Sequence, residues 1–209
     1  MKSREKYIVG VDEVGRGPLA GPVTVGVVVC DEKIYKKLFR NKKLPPVGKD
    51  SKKLKEKDRE KFAKVLELLK KEGKISFSIN HVANTIIDTK GISFAIGKAM
   101  RDGFKKLKLK PKTCEVLLDG GLKAPIEYKQ KTIIRGDEKE RIIAWASILA
   151  KVSRDKLMVK MAKKYPKYSL EVHKGYGTAK HRLAIQKYGI SRVHRLSFCK
   201  SIDFNSIIV

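Results

Sequence analysis

The chain has 209 residues, of which 42% are hydrophobic, enough for one packed domain with or without a C-terminal elaboration and too many for a disordered chain. No apolar run approaches the roughly 20 residues that span a bilayer, and the charged start, Met1 to Tyr7, leads straight into a strand-like run rather than a signal peptide. Lys plus Arg number 49 against 22 Asp plus Glu, a net charge of +27 that favours a polyanionic partner, with duplex nucleic acid ahead of an acidic membrane surface and a partner-neutral Lys-rich composition as the rival reading.

In chain order, Tyr7 to Val14 reads as a strand, broken by Gly15–Arg16–Gly17–Pro18, and the β-branched run Val23 to Cys30 as a second, buried strand. Ile34 to Phe39 is a short helix, and the stretch from Leu44 to Asp50, with Pro45, Pro46 and Gly48, is a loop. Leu54, Phe62, Val65, Leu66 and Leu69 recur at helical spacing and predict an amphipathic helix from Lys52 to Lys71, ending at Gly73. Lys74 to Val82 alternates as a half-buried strand, and Ile92 to Leu107 is a second long helix. Glu115 to Leu118 and Thr132 to Ile134 are short strands, ending at Asp119–Gly120–Gly121 and Gly136–Asp137. Nothing breaks a helix from Glu138 to Lys163, whose apolar middle marks it as the central buried helix, with Trp145 as packing. After Tyr165–Pro166 the composition turns basic and glycine-rich, with one more helix over Thr178 to Tyr188. Three closely linked early strands predict an antiparallel meander, and the later strands, separated by helices, join in parallel.

Cys30, Cys114 and Cys199 are far apart and odd in number, which points to reduced thiols in a cytoplasmic protein rather than disulfides or zinc. His81 reads as structural, and His173, His181 and His194 lack metal-ligand spacing, so loop and phosphate contacts are expected of them.

The chemistry gathers at strand ends. Asp12–Glu13 lies near the end of the first strand, Asp119 follows the fourth and Asp137 the fifth. In open α/β sheets, sites form outside the carboxyl ends of strands. Acids delivered to one rim repel one another unless protons or cations neutralise them, and Mg²⁺ or Mn²⁺ favours such oxygen ligands. Each position also has a structural reading. Asp137 with Glu140 looks like a capping box, and Asp119 before two glycines suits a turn. Asp12–Glu13 is harder to explain away, because acids inside an apolar strand are costly to bury. Neighbouring strand residues face opposite ways, so both reach one site only if the strand bends or ends there. Gly15–Arg16–Gly17 is either an ordinary turn or a loop whose backbone approaches a ligand. Asp50–Ser51–Lys52–Lys53 is either a phosphate contact or a helix start. Tyr176, between Gly175 and Gly177, suits stacking on a base or sugar, or sensing a 2′-hydroxyl.

Together these segments resemble the ribonuclease HII family. Gly10 to Pro22 is similar to its N-terminal signature at nearly every position. Asp50 to Leu54, Asp119–Gly120, Gly136–Asp137 with Ala146 to Asp155, His173 to Thr178 with His181, and His194 to Phe198 are similar to its later motifs, in family order. The resemblance implies a ribonuclease H-like α/β fold, a mixed five-stranded sheet with flanking helices and a helical C-terminal extension, divided at about residue 165 into catalytic domain (1–165) and extension (166–209). It implies Asp12, Glu13, Asp119 and Asp137 as catalytic, metal-binding carboxylates using Mn²⁺ or Mg²⁺, two ions per site. It also implies Gly15, Arg16, Gly17, Ser51, Lys52, Ser147, Lys151, Arg154 and Tyr176 as substrate-binding. The implied activity is endonucleolytic cleavage of RNA in RNA/DNA hybrids, and of single ribonucleotides in duplex DNA, by a monomer with no membrane partner. Trp145 stands where the family usually has a small residue, which implies local repacking. The signature starts too early for the extra N-terminal domain of the sister type, ribonuclease HIII. The rivals are a non-catalytic basic nucleic-acid-binding module and another nuclease of the same fold, such as a resolvase.

Overall fold

A computed structural model describes residues 6–39, 44, 54–200 and 202. Five strands make one sheet in the order β3-β2-β1-β4-β5. They are β1 (Tyr7–Val14), β2 (Val23–Asp31), β3 (Ile75–Val82), β4 (Cys114–Asp119) and β5 (Lys129–Ile133). β1, β2 and β3 form the expected antiparallel meander, and β4 and β5 run parallel to β1. The helices are α1 (Glu32–Phe39), α2 (Glu56–Lys71), α3 (Asn84–Lys90), α4 (Ile92–Lys106), α5 (Gly136–Lys139), α6 (Arg141–Lys164), α7 (Leu170–His173) and α8 (Ala179–Tyr188).

Alternation along β1 splits the core. Val9 and Val11 face α4, joining Ala95, Ala99 and Met100. Ile8 and the opposite face of the sheet meet α2 and α6 through Leu66, Ile142, Trp145 and Leu149. α6 lies close on that face because Gly10 and Gly26 carry no side chain. A Cβ at Gly10 would collide with the Ile142 carbonyl, and one at Gly26 with the Ala146 carbonyl. A third apolar cluster joins Leu19 and Ala20, from the β1–β2 connection, to Met158 and Ala162 of α6 and to Tyr168, Leu170, Ile185 and Val193 of the tail. The tail therefore seals onto the first loop of the chain.

Several expected boundaries move. The long helix is interrupted, because Glu140 is extended (φ −120°, ψ 117°) and separates α5 from α6. The break lets Ile142 and Ile143 turn under the sheet while Gly136 stays beside Asp119. β5 starts earlier than expected, at Lys129; as an edge strand it carries solvated lysines rather than an apolar signal. α3 was not anticipated. It is seven polar-rich residues, too short to show a period, and Gly91 (φ 83°) divides it from α4. The expected Leu44–Asp50 loop and the Lys52 start of α2 lie almost wholly outside the described residues.

Candidate active site

β4 pairs with β1 only as far as Val11↔Leu118. The next residues along the two chains are Asp12, still inside β1, and Asp119, the last residue of β4, so two acids come near each other where this pairing stops. Both follow the alternation onto the face covered by α6. β1 does not end at Asp12–Glu13, since its pairing with β2 continues through Asp12↔Gly26 and Glu13↔Val25 to Val14↔Thr24, yet Glu13 stays near enough to Asp12 and Asp119 to feel both charges. What opens the rim is the end of β4. Asp12 stays under α6, where Ser147 hydrogen-bonds its carboxylate, and the Glu13 amide donates to Asp12 Oδ1 at 2.7 Å. Glu13 takes the opposite side of the rim and pairs with Arg16 at 3.2 Å.

Asp137 reaches the rim by another route. Arg135 adopts a left-handed conformation (φ 55°), and α5 begins against β4. Asp119 Oδ1 accepts the amides of Gly136 at 2.5 Å and Asp137 at 3.4 Å. Asp119 thus caps α5 from β4, and Asp137, inside α5, is not the N-cap of the expected capping box with Glu140: the N-cap residues are Arg135 for α5 and Glu140 for α6, and neither caps with its own side chain.

The electrostatics are those of a crowded acid cluster. Burial pushes the Asp12 carboxyl well above its usual range, the Ser147 hydrogen bond opposes this, and the charges of Asp119 and Glu13 push it further up. Burial also raises Glu13, with Arg16 opposing and Asp119 adding to the rise. Among the described residues no three His, Cys, Asp or Glu side chains are gathered tightly enough, as placed, to hold a metal ion. The donor set nevertheless fits a hard divalent cation. It consists of carboxylate oxygens whose burial and mutual repulsion a positive charge would relieve.

The expected substrate-binding residues divide. Arg16 and Gly17 are exposed, Gly15 is buried with φ 89°, and Tyr176 is 40% exposed on its loop. Lys151 bonds Asp155 at 2.8 Å and lies 6.0 Å from the Tyr176 ring. Ser51 and Lys52 lie outside the described residues. Arg154 is fully buried, so the structure makes it a support rather than a surface contact. Its guanidinium donates to the carbonyls of Pro22 (2.9 Å), Lys174 (2.9 Å) and Ala20 (3.3 Å), tying the first loop to the Tyr176 loop.

Two groups escaped sequence reasoning. One is Arg195, also fully buried beneath the Gly15–Gly17 loop. The other is the burial of the histidines: His173, His181 and His194, expected at loop and phosphate contacts, do hold loop backbone but are only 8%, 0% and 1% exposed. Their partners fix neutral tautomers. His181 Nδ1 donates to the Tyr176 carbonyl (2.9 Å), so its Nε2 must accept from His194 Nε2 (3.1 Å). His194 Nδ1 is then free to accept from the Ser191 amide (3.0 Å) and hydroxyl (2.9 Å). His173 stacks on His181 at 4.2 Å and donates to the Tyr168 carbonyl at 2.8 Å. The sequence signal was that these residues fall in the segments His173 to Thr178 with His181 and His194 to Phe198 that resemble the family's motifs, which mark the positions without showing what they support.

A family model described as Ribonuclease HII matches residues 9–201. The chain belongs to the ribonuclease HII family. Members of this family are endoribonucleases acting on RNA/DNA hybrids, and the chain is such a hydrolase. It is similar to Ribonuclease HII of Caldicellulosiruptor bescii, at 43% identity over 94% of this chain and 88% of that protein. Among solved structures it is similar to the ribonuclease HII in a PCNA complex from Archaeoglobus fulgidus, with a TM-score of 0.72, 22% identity, and coverage of 95% of this chain and 96% of that one. It also shares its fold with Bst-RNase HIII in complex with Mn²⁺, with a TM-score of 0.67, 16% identity, and coverage of 94% of this chain and 68% of that one. The expected ribonuclease H-like mixed five-stranded sheet is thus the family's own. Among the described residues no helix is long and apolar enough to cross a membrane.

Proposed function

We propose that this ribonuclease HII cuts the phosphodiester 5′ to a ribonucleotide, in an RNA/DNA hybrid or embedded in duplex DNA, leaving 3′-hydroxyl and 5′-phosphate ends. The observation that carries this reading is the crowding of the buried Asp12 by Asp119 and Glu13 where the pairing of β1 with β4 stops, on a chain that also exposes the Arg16–Gly17 turn and Tyr176. Asp12, Glu13, Asp119 and Asp137 would hold divalent ions, Mn²⁺ or Mg²⁺, two per site. When bound, such ions supply Lewis acidity and neutralise charge at the scissile phosphate.

The chain's own residues do the remainder. Ser147 holds the Asp12 carboxylate in place, and the Asp119 cap fixes the backbone at Asp137. Gly15–Arg16–Gly17 approaches the sugar–phosphate backbone, Tyr176 lies against the ribose, and Lys151 brings positive charge beside it. Ser51 and Lys52 would add backbone contacts. In this reading residues 1–165 are the catalytic unit and 166–209 the extension that completes the groove. The net charge of +27 supports duplex binding that weakens steeply with salt. The enzyme works as a monomer, and three buried, unpaired cysteines suit a reducing cytoplasm.

A duplex carrying one ribonucleotide tests the reading. Cleavage should need Mn²⁺ or Mg²⁺, stop on chelation, and leave a 5′-phosphate that ligase can rejoin. No cut in either metal would refute it and return the chain to a basic binding module. Cleavage of all-DNA junctions but not of hybrids would favour a resolvase-like nuclease.

A further inference from the structure

Arg195 sits 180 positions from the loop it touches. Among the described residues no carboxylate pairs with its guanidinium. Nη2 donates to the Gly15 carbonyl at 2.7 Å, Nη1 to the Arg16 carbonyl at 3.0 Å and Nε to the Gly21 carbonyl at 2.9 Å. One face rests 5.1 Å from the Phe198 ring. Its backbone is fixed as well: its amide donates to the Leu19 carbonyl at 2.7 Å, and the Phe198 amide donates to its own carbonyl at 2.9 Å.

The consequence follows from peptide planarity. In a trans peptide the C=O and the following N–H point in opposite directions. Arg195 draws two consecutive carbonyls, of Gly15 and Arg16, into the protein. The amides of Arg16 and Gly17 belong to those same two planes, so they must face out. Both residues are exposed, and among the described residues neither amide has a hydrogen-bond partner. Two adjacent outward N–H groups form a concavity suited to an oxygen acceptor.

We infer that Arg195 is a positioning residue which sets these two peptide planes and so presents the Arg16 and Gly17 amides to a sugar–phosphate oxygen of the substrate. The inference rests on the proposed substrate class. The planar fork matters because it spans neighbouring carbonyls at fixed spacing, and a lysine ammonium does not reproduce it. Without the fork either plane can flip, which would turn a carbonyl toward an anionic strand. Arg154 does not replace it, because its donors go to Ala20, Pro22 and Lys174.

The test compares Arg195→Lys with the wild-type protein on the single-ribonucleotide duplex, with melting curves alongside. At a temperature where both are folded, KM should rise about tenfold or more. The loss should fall on KM more than on kcat, which a general loss of folded protein would not produce. A KM within twofold of wild type in a folded variant overturns the inference. A second measurement needs neither the variant nor cleavage. In chelator, the ¹H–¹⁵N signals of Arg16 and Gly17 in the wild-type protein are followed as uncut duplex is added, with an all-deoxy duplex in parallel. Shifts with both duplexes identify a phosphate oxygen, and shifts with the ribonucleotide duplex alone identify the 2′-hydroxyl; either supports the inference. Amides that bind neither duplex, or that are already protected in the free protein, overturn it. Wild-type cleavage in the first assay separately checks the substrate class, so the two failures are distinguishable.

Discussion

Acidification should unlock the histidine stack before it harms the rest of the fold. His181 is fully buried, and its ring must accept through Nε2 while donating through Nδ1. Burial, opposed by the Tyr176 carbonyl and reinforced by His173 and His194, lowers its pKa from 6.5 to about 4. Burial lowers His173 and His194 as well. A depressed histidine is neutral in the folded chain and protonates first in the unfolded one. Its stabilising contribution is therefore complete above pH 6.5 and is lost as pH falls toward about 4. At about 1.4 kcal/mol per pH unit, that window costs roughly 3 kcal/mol from His181 alone, a large share of the ~5–15 kcal/mol that holds a domain. Asp12 and Glu13, raised by burial, act with the opposite sign, since their protonation at low pH relieves a cost. Urea titrations at several pH values from 7.5 to 4.5, on wild type and His181→Gln, isolate the histidine part. The variant should be less stable at pH 7.5 but show a distinctly shallower decline below pH 6.5. Parallel declines in the two proteins would refute the neutral-tautomer assignment.

Other consequences are simpler to measure. Asp12→Asn should cut the cleavage rate about a thousandfold or more. It should also raise the melting temperature, because it removes a buried charge repelled by Asp119 and Glu13. A simultaneous fall in Tm would contradict the electrostatics described. Gly10→Ala should cost about 3 kcal/mol in denaturant unfolding, because its new methyl meets the α6 backbone at Ile142. A cost below 1 kcal/mol would mean that the helix packs less closely than described. Trp145→Phe should change stability by less than about 1 kcal/mol, well short of the ~3–5 kcal/mol usual for Trp→Ala. The buried indole N–H has no partner among the described residues, and its removal offsets the lost packing. A loss above about 3 kcal/mol would show that the N–H is satisfied.

The legible parts of this molecule are those whose signal is local. The apolar runs around Val9, Val25 and Val116 announced central strands, and acids just past such runs announced the rim. Asp119 and Asp137 were also visible, but their division of labour was not, because the chain that Asp119 caps begins seventeen residues later and only the β4–β5 pairing brings it near. The break at Glu140 was hidden as well, since no helix-breaking residue marks it, and the close seat of Ile142 on Gly10 that follows it is visible only in the fold. Arg154 and Arg195 look like surface cations in the sequence. Burying them takes six backbone carbonyls from remote segments, a pattern no residue type displays.

The distance in sequence between Arg195 and Gly15 also bears on how the enzyme is made. The loop is synthesised early, and the guanidinium that orients it emerges only after 179 further residues. A chain translated as far as Ile133 contains all five strands of the sheet yet still lacks the clamp on its first turn. Recognition through that turn should therefore be completed only near the end of synthesis, when Arg195 is in place.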